Sequence, residues 1–339
     1  MIIDRLMDVV FPARDQSLAS VVAGLSEPGD ARPADNLVTN EDSFARVAAD
    51  LARRAPRGVY LGVGPDQNLT YIAQARPSIA FVLDFRRRNA LLHLAHKALI
   101  ALAPDRVAYL SRLTARVPGP LPDDPTAEEL VDAFTGPAMD RARLDATIAD
   151  VADHLRPLGV VAGSEWPELA TIQAKLAGPG LSARFLALPM YPTLGGLIRS
   201  RDRQGDPAHF LARDSRYQSL RAAQLGDRVL PLVGDFAGPT ALRSLADWLR
   251  RRELAVAAIY LSDVEFFLLR AGRFAAYIDN LSALPWAEGA LLIRTSTREI
   301  PHPDRHPGDS STTILRPVAP FVEAAWAGKI RSVDDLFAM

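Results

Sequence analysis

Cysteine is missing from all 339 residues. Disulfides, thiolate metal sites and a cysteine nucleophile are therefore excluded together. Lysine is scarce, occurring only at 97, 175 and 329, so the basic residues are almost all arginine. An excess of charge of one sign is missing as well: 39 basic residues face 40 acidic ones. No global field draws in nucleic acid or an anionic membrane, and the expected partner is a small neutral or zwitterionic molecule. No apolar run approaches the ~18 residues of a membrane span. The opening MIIDRLMDVVFPARDQ has acids inside an amphipathic pattern, unlike the basic and then apolar run of a secretion signal. A soluble, cytoplasmic protein is the expectation.

What is present is a globular composition, 48% hydrophobic and 23% charged, on a chain long enough for one large α/β domain with an insertion. Residues 1–57 read as helix, loop and helix. The second helix opens at NEDSFARVAADLARR with Asn40 as its cap and Glu41 and Asp42 at its positive end. Strand-like runs at 59–63 and 79–85, the latter followed by a long helix over 86–103, form two βα units and imply a parallel sheet. The same rhythm resumes with strands at 228–236, 255–262 and 289–296. After a polar, proline-rich loop that reads as mobile come a last strand-like TTILRPV and a helical tail. Between them, residues 104–225 read as a mostly helical insertion, with strand fragments at VVAG and RFLALP. The domain division is thus an N-terminal helical segment (1–57), a core (58–103 and 226–339) and an insertion or lid (104–225).

The stretch GVYLGVGPDQNLTYIA carries the main functional signal. Gly62, Val63, Gly64 and Pro65 turn the chain tightly at the end of a strand, where amides lacking a Cβ nearby approach a ligand. Asp84 closes the next strand, 22 positions after Gly62, where a carboxylate accepts the two hydroxyls of an adenosine ribose. Asp235 closes a third strand and suits an adenine amino group. A dinucleotide fingerprint needs glycine three positions after Gly64, but Gln67 stands there, so a nucleoside without pyrophosphate fits better than NAD. Asn68 is placed to cap the following helix and touch the ligand, with Tyr71 nearby. Arg86 and Asn89 follow Asp84.

With these residues in view, the chain resembles the class I S-adenosylmethionine (SAM)-dependent methyltransferase fold, and more closely an uncharacterised bacterial family of methyltransferase-like Rossmann proteins. The matching segments are LVTNEDSF, GVYLGVGPDQNLTYIA, DFRRRN with HKAL and SRL after it, LPLVGDFAGP and IYLSDVEFFL. The resemblance implies a doubly wound, mostly parallel sheet of order 3-2-1-4-5 and a SAM pocket at its carboxyl ends under a helical insertion. Its cofactor residues would be Gly62, Val63, Gly64, Pro65, Asn68, Tyr71, Asp84, Phe85, Arg86, Asp235, Phe236 and Ser262. Two departures stand out: Tyr60 replaces the acid usual two positions before the first glycine, and Asp66 replaces the third glycine.

Asp263 and Glu265, after the fourth strand, are placed where acceptor and methyl donor would meet, as proton acceptors or partners of an ammonium group. Tyr191, in MYPTLGG, is a candidate to face the cofactor cation. The expected activity is SAM-dependent methyl transfer to a small molecule. Aminocarboxypropyl transfer or cyclisation, or nucleoside binding without turnover, are the alternatives. His93 and His96 read as packed histidines, and no metal site is assigned, including among His302, Asp304, His306 and Asp309.

Overall fold

The protein is described here from a computed structural model, covering residues 17–29, 36–297 and 300–338. The opening segment MIIDRLMDVVFPARDQ and part of the loop before residue 36 lie outside the described residues.

The apolar runs form five parallel strands: β1 (Val59–Gly62), β2 (Ile79–Asp84), β3 (Val229–Val233), β4 (Val256–Tyr260) and β5 (Trp286–Ser296). β1 to β4 are buried at every position, as expected where helices cover both faces of a parallel sheet. β6 (Thr312–Pro317) pairs antiparallel with β5. The sheet order is β3-β2-β1-β4-β5-β6, so the fold is α/β with a mixed sheet whose first five strands take the expected order. The winding reverses between β1 and β4, and the carboxyl ends there form the crevice in which open α/β sheets hold ligands.

α1 (Leu18–Leu25) packs on β3, and the segment after it is held there by the Glu27 amide donating to the Val233 carbonyl at 2.7 Å. α2 (Ala48–Arg54) follows a 3-10 turn over Asp42–Val47. The expected cap at Asn40 is not formed: Glu41 holds the cap position without a side-chain bond to the turn, because its carboxylate is drawn into the interior. α3 (Gln67–Ala75) leaves the glycine turn and α4 (Arg87–Leu102) leaves β2. Every residue from Asn89 to Ile100 of α4 is buried, His93, His96 and Lys97 included, so the helix is enclosed on all sides between the sheet and a helical layer.

That layer comprises α5 (Arg106–Thr114), α6 (Ala127–Thr135), α7 (Arg141–Leu155), α8 (Trp166–Ala177), α9 (Leu194–Ile198) and α10 (Asp214–Leu225). The strand fragments expected here are instead short 3-10 turns at Gly163–Glu165 and Phe185–Ala187. At the second, Leu186 and Ala187 take φ of 50° and 55°, which turns the chain back on itself and precludes extension. The remaining helices are α11 (Ala241–Arg250), α12 (Val264–Arg270), α13 (Phe274–Ala283), α14 (Val318–Trp326) and α15 (Val333–Phe337). Among the described residues no helix is long and apolar enough to cross a membrane.

Candidate functional site

The glycine turn is filled from within. Asn68, fully buried in the first turn of α3, donates through Nδ2 to the carbonyls of Val63, Gly64 and Pro65 at 2.9, 3.1 and 2.9 Å. Its Oδ1 accepts from the Tyr60 hydroxyl at 2.8 Å. A Cβ on Gly62 would lie 1.9 Å from Asn68 Oδ1 and 2.8 Å from the Tyr60 ring. Gly62 is therefore glycine to admit these two side chains, not to admit a ligand. Asn68 is likewise not a helix cap, and Tyr71 is a core residue whose hydroxyl donates to the Phe44 carbonyl at 3.0 Å. Val63, Gly64 and Pro65 are buried, and the Thr39 amide donates across the turn to Asp66 at 2.8 Å. Tyr60, the departure from the usual acid, is part of this plug.

At the end of β2, Asp84 is buried and its Oδ1 accepts from the Arg86 amide at 2.9 Å and from Arg86 Nε at 3.2 Å. Its Oδ2 is buried without a hydrogen-bond partner, and the Gly64 amide favours the charged form of the carboxyl. Burial raises the Asp84 pKa above the ordinary carboxylate value, and Arg86 opposes that rise. Close by, both amide atoms of Asn89 and Oδ1 of Asn36 are buried without partners. A crevice of about 10 Å³ lies between Asn36, Leu37, Arg86 and Asn89, room for about one water molecule. Phe85 is 41% exposed, with the Arg86 guanidinium over its ring at 4.7 Å.

Asp235 does not join this group. It accepts from its own turn at the Ala237 amide (2.8 Å) and pairs with Arg273 at 2.6 Å, while Phe236 is buried in the core. The two strand-end acids, expected to share one nucleoside, have separate local partners.

An open cavity lies at the carboxyl ends of β4 and β5. It has a volume of about 370 Å³ and is lined by Ser262, Asp263, Glu265 and Tyr191 among others, so the three expected catalytic side chains do converge. Glu265 is spent, however: Arg294 binds both its oxygens at 2.7 and 3.0 Å, and the Tyr277 hydroxyl donates to it at 2.9 Å. This pair is nearly inaccessible to solvent. A carboxylate so held positions Arg294 and has both oxygens engaged within the protein. Asp263 has no ion-pair partner among the described residues, and burial raises its pKa.

Behind Ser262 stands Glu41, which the sequence reading placed only as a first-turn charge. Its Oε1 accepts from Ser262 Oγ at 2.5 Å and its Oε2 from the Tyr260 hydroxyl at 2.7 Å. The Tyr260 hydroxyl also accepts from Gln67 Nε2 at 2.8 Å, linking β4 to the start of α3. Burial pushes the Glu41 carboxyl up to about 7, opposed by the hydrogen bonds from Ser262 and Tyr260. Ser262 itself has φ of 52°, a left-handed conformation that non-glycine residues adopt at a cost and that clusters at functional sites. The segment carrying Glu41 is fixed to β6: Ser43 Oγ bonds Thr313 Oγ1 and Ser311 Oγ at 2.7 Å each.

His93 and His96 are buried with their pKa lowered to about 4 and about 3, chiefly by burial. His93 Nε2 bonds the Gly64 carbonyl at 2.8 Å, and His96 Nδ1 bonds the Tyr109 hydroxyl at 2.9 Å. Among the described residues no group of three or more His, Cys, Asp or Glu is placed to hold a metal. The loop with His302 and His306 is tied down rather than free: Asp304 pairs with Arg203 and Arg316, and Asp309 pairs with Arg46.

Residues 36–118 and 193–325 match the model of a family described as Domain of unknown function (DUF7790). The matched residues include Glu41, Ser262, Asp263, Glu265 and Arg294, whereas Tyr191 lies just outside them. No curated protein matches the chain.

Proposed function

The chain belongs to that family of unknown function, and from its site we propose a transferase that takes a SAM-type nucleoside donor and a small-molecule acceptor. The acceptor binds in the β4–β5 cavity and gives up its proton through Ser262 to Glu41. The observation that carries this reading is Glu41: a fully buried carboxylate, pushed up to about 7, one hydrogen bond behind the cavity wall. A base whose affinity for a proton lies near neutral pH is the most effective kind in neutral water. Ser262 Oγ donates to Glu41 and lines the cavity, so it passes a proton inward by exchanging one O–H for another. The remaining need of a methyl transfer is orientation in a dry site.

Support for the donor comes from the end of β2. The unpaired atoms of Asp84, Asn89 and Asn36 are acceptors and donors of the kind that ribose hydroxyls satisfy. The room there is that of one water, so a nucleoside would enter only with Arg86 lifted from Asp84. When bound, SAM would supply an electrophilic methyl group.

A second reading is favoured by the filled glycine turn and the Asp235–Arg273 pair: a protein that binds a nucleoside without turnover. Aminocarboxypropyl transfer is a third, using the same donor. A thermal-shift screen of SAM, S-adenosylhomocysteine, methylthioadenosine and NAD tests the donor, since a ligand at 100 times its Kd adds about 2.7 kcal/mol of stability. Asp84→Ala is expected to abolish the shift. S-adenosylhomocysteine as product supports methyl transfer and methylthioadenosine supports aminocarboxypropyl transfer. A retained shift with neither product supports the non-catalytic reading. No shift with any adenosyl ligand refutes the donor assignment.

A further inference from the structure

We propose that the β4–β5 cavity selects an amine with an apolar arm, its ammonium on Asp263 and its arm between two aromatic pairs. The inference rests on the transferase reading only in making that amine the acceptor. Phe185 and Tyr191, from the helical layer, meet edge to face with centroids 4.9 Å apart. Phe266 and Phe267, from α12, meet likewise at 5.2 Å. Phe267 is 58% exposed, and an exposed ring on a cavity wall is apolar surface for a ligand to cover.

The charges decide the polar end. Among the described residues, the acidic and basic side chains that line the cavity are Asp263, Glu265 and Arg294. Glu265 and Arg294 neutralise each other, and Glu41 lies directly behind Ser262. Among the described residues, Arg86 pairs with Asp84 while its charge also acts on Asp263, and Arg270 lies over the Phe266 ring at 5.3 Å. Asp263 is left as a carboxylate with no ion-pair partner in the described structure, beside aromatic faces that themselves favour cations. An anionic ligand would meet the Asp263 carboxylate, and a neutral alcohol would leave it unbalanced. An ammonium supplies the missing charge and up to three N–H donors.

Calorimetry on the full chain tests this with phenethylamine, phenethyl alcohol and 3-phenylpropionate as probes, each with and without SAM. Phenethylamine is expected to bind at least about tenfold more tightly than the alcohol, from one charge-assisted hydrogen bond, and the carboxylate not to bind. Asp263→Asn should remove that preference and leave alcohol binding unchanged. Phe267→Ala, at the exposed rim, should weaken phenethylamine more than methylamine. The proposal is overturned if the carboxylate binds as well as the amine, or if Asp263→Asn keeps the preference. It is equally overturned if only SAM and S-adenosylhomocysteine bind, for Asp263 then serves the donor's own amino-acid end. The two readings fail separately: amine binding without any adenosyl binding removes the transferase and leaves the amine site. Turnover of SAM with an acceptor that is not an amine does the reverse.

Discussion

Replacing Glu41 by Gln isolates the buried carboxyl on which the account turns. In the unfolded chain this group titrates near 4.5, and in the folded protein near 7. Below pH 4.5 both states hold the proton and Glu41 lays no burden on folding. As the pH rises through the interval, the unfolded chain releases its proton while the folded one keeps it, so stability falls. The fall ends once the folded carboxyl also ionises, above about pH 7. At about 1.4 kcal/mol per factor of ten in proton affinity, the accumulated loss is about 3 kcal/mol. Gln does not titrate and can still accept from Ser262 or Tyr260. Urea unfolding of both proteins at pH 5, 6, 7 and 8 should therefore show Glu41→Gln gaining on the wild type by about 2.5 kcal/mol across that range, the rest of the loss falling below pH 5. Comparing the two cancels the other titrating groups. Parallel stability curves would refute the buried, proton-holding Glu41.

The other predictions concern the turn, the pair and the acid limb. Asn68→Ala strips the partner from the carbonyls of Val63, Gly64 and Pro65 and from Tyr60; a loss of about 3 kcal/mol is expected in chemical unfolding. Arg294→Ala leaves the Glu265 carboxyl buried without its ion-pair partner and should cost about 3–5 kcal/mol, whereas Arg273→Ala breaks a half-exposed pair and should cost under about 1 kcal/mol. His209, held neutral by burial with its pKa lowered to about 3, removes stability as the pH falls from 6.5 toward that value. His209→Asn, which keeps an acceptor for the Leu211 amide, should flatten the acid limb measured by thermal unfolding.

The strands were legible because a parallel strand covered on both faces is a short unbroken apolar run, as in IAFVLD, and such runs between helical patterns leave few topologies. The glycine turn was legible as a tight turn but not as a filled one. The pattern that brings amides to a ligand is the same pattern that makes room for Asn68 and Tyr60, and only the side-chain positions separate the two. Asp235 misled for a related reason: a strand-end carboxylate suits a ligand and an arginine equally, and Arg273 is 38 residues away. Glu41 was hidden by a local rule that it satisfies, since an acid at the start of a helical turn needs no further explanation. Its real partners, Tyr260 and Ser262, lie 219 and 221 residues on. Ser262 and Asp263 could be named from the sequence because the end of the fourth strand is where this topology gathers side chains, and Tyr191 because it is an aromatic in a loop of the insertion; the structure places all three on one cavity wall.

Incubating the protein with SAM and phenethylamine and quantifying S-adenosylhomocysteine by mass spectrometry tests the central claim most directly. The wild type should form it, and Glu41→Gln should form it about a hundredfold more slowly or worse while stabilised by SAM to the same degree. Equal rates in the two proteins, or no adenosyl product from either, would contradict the account.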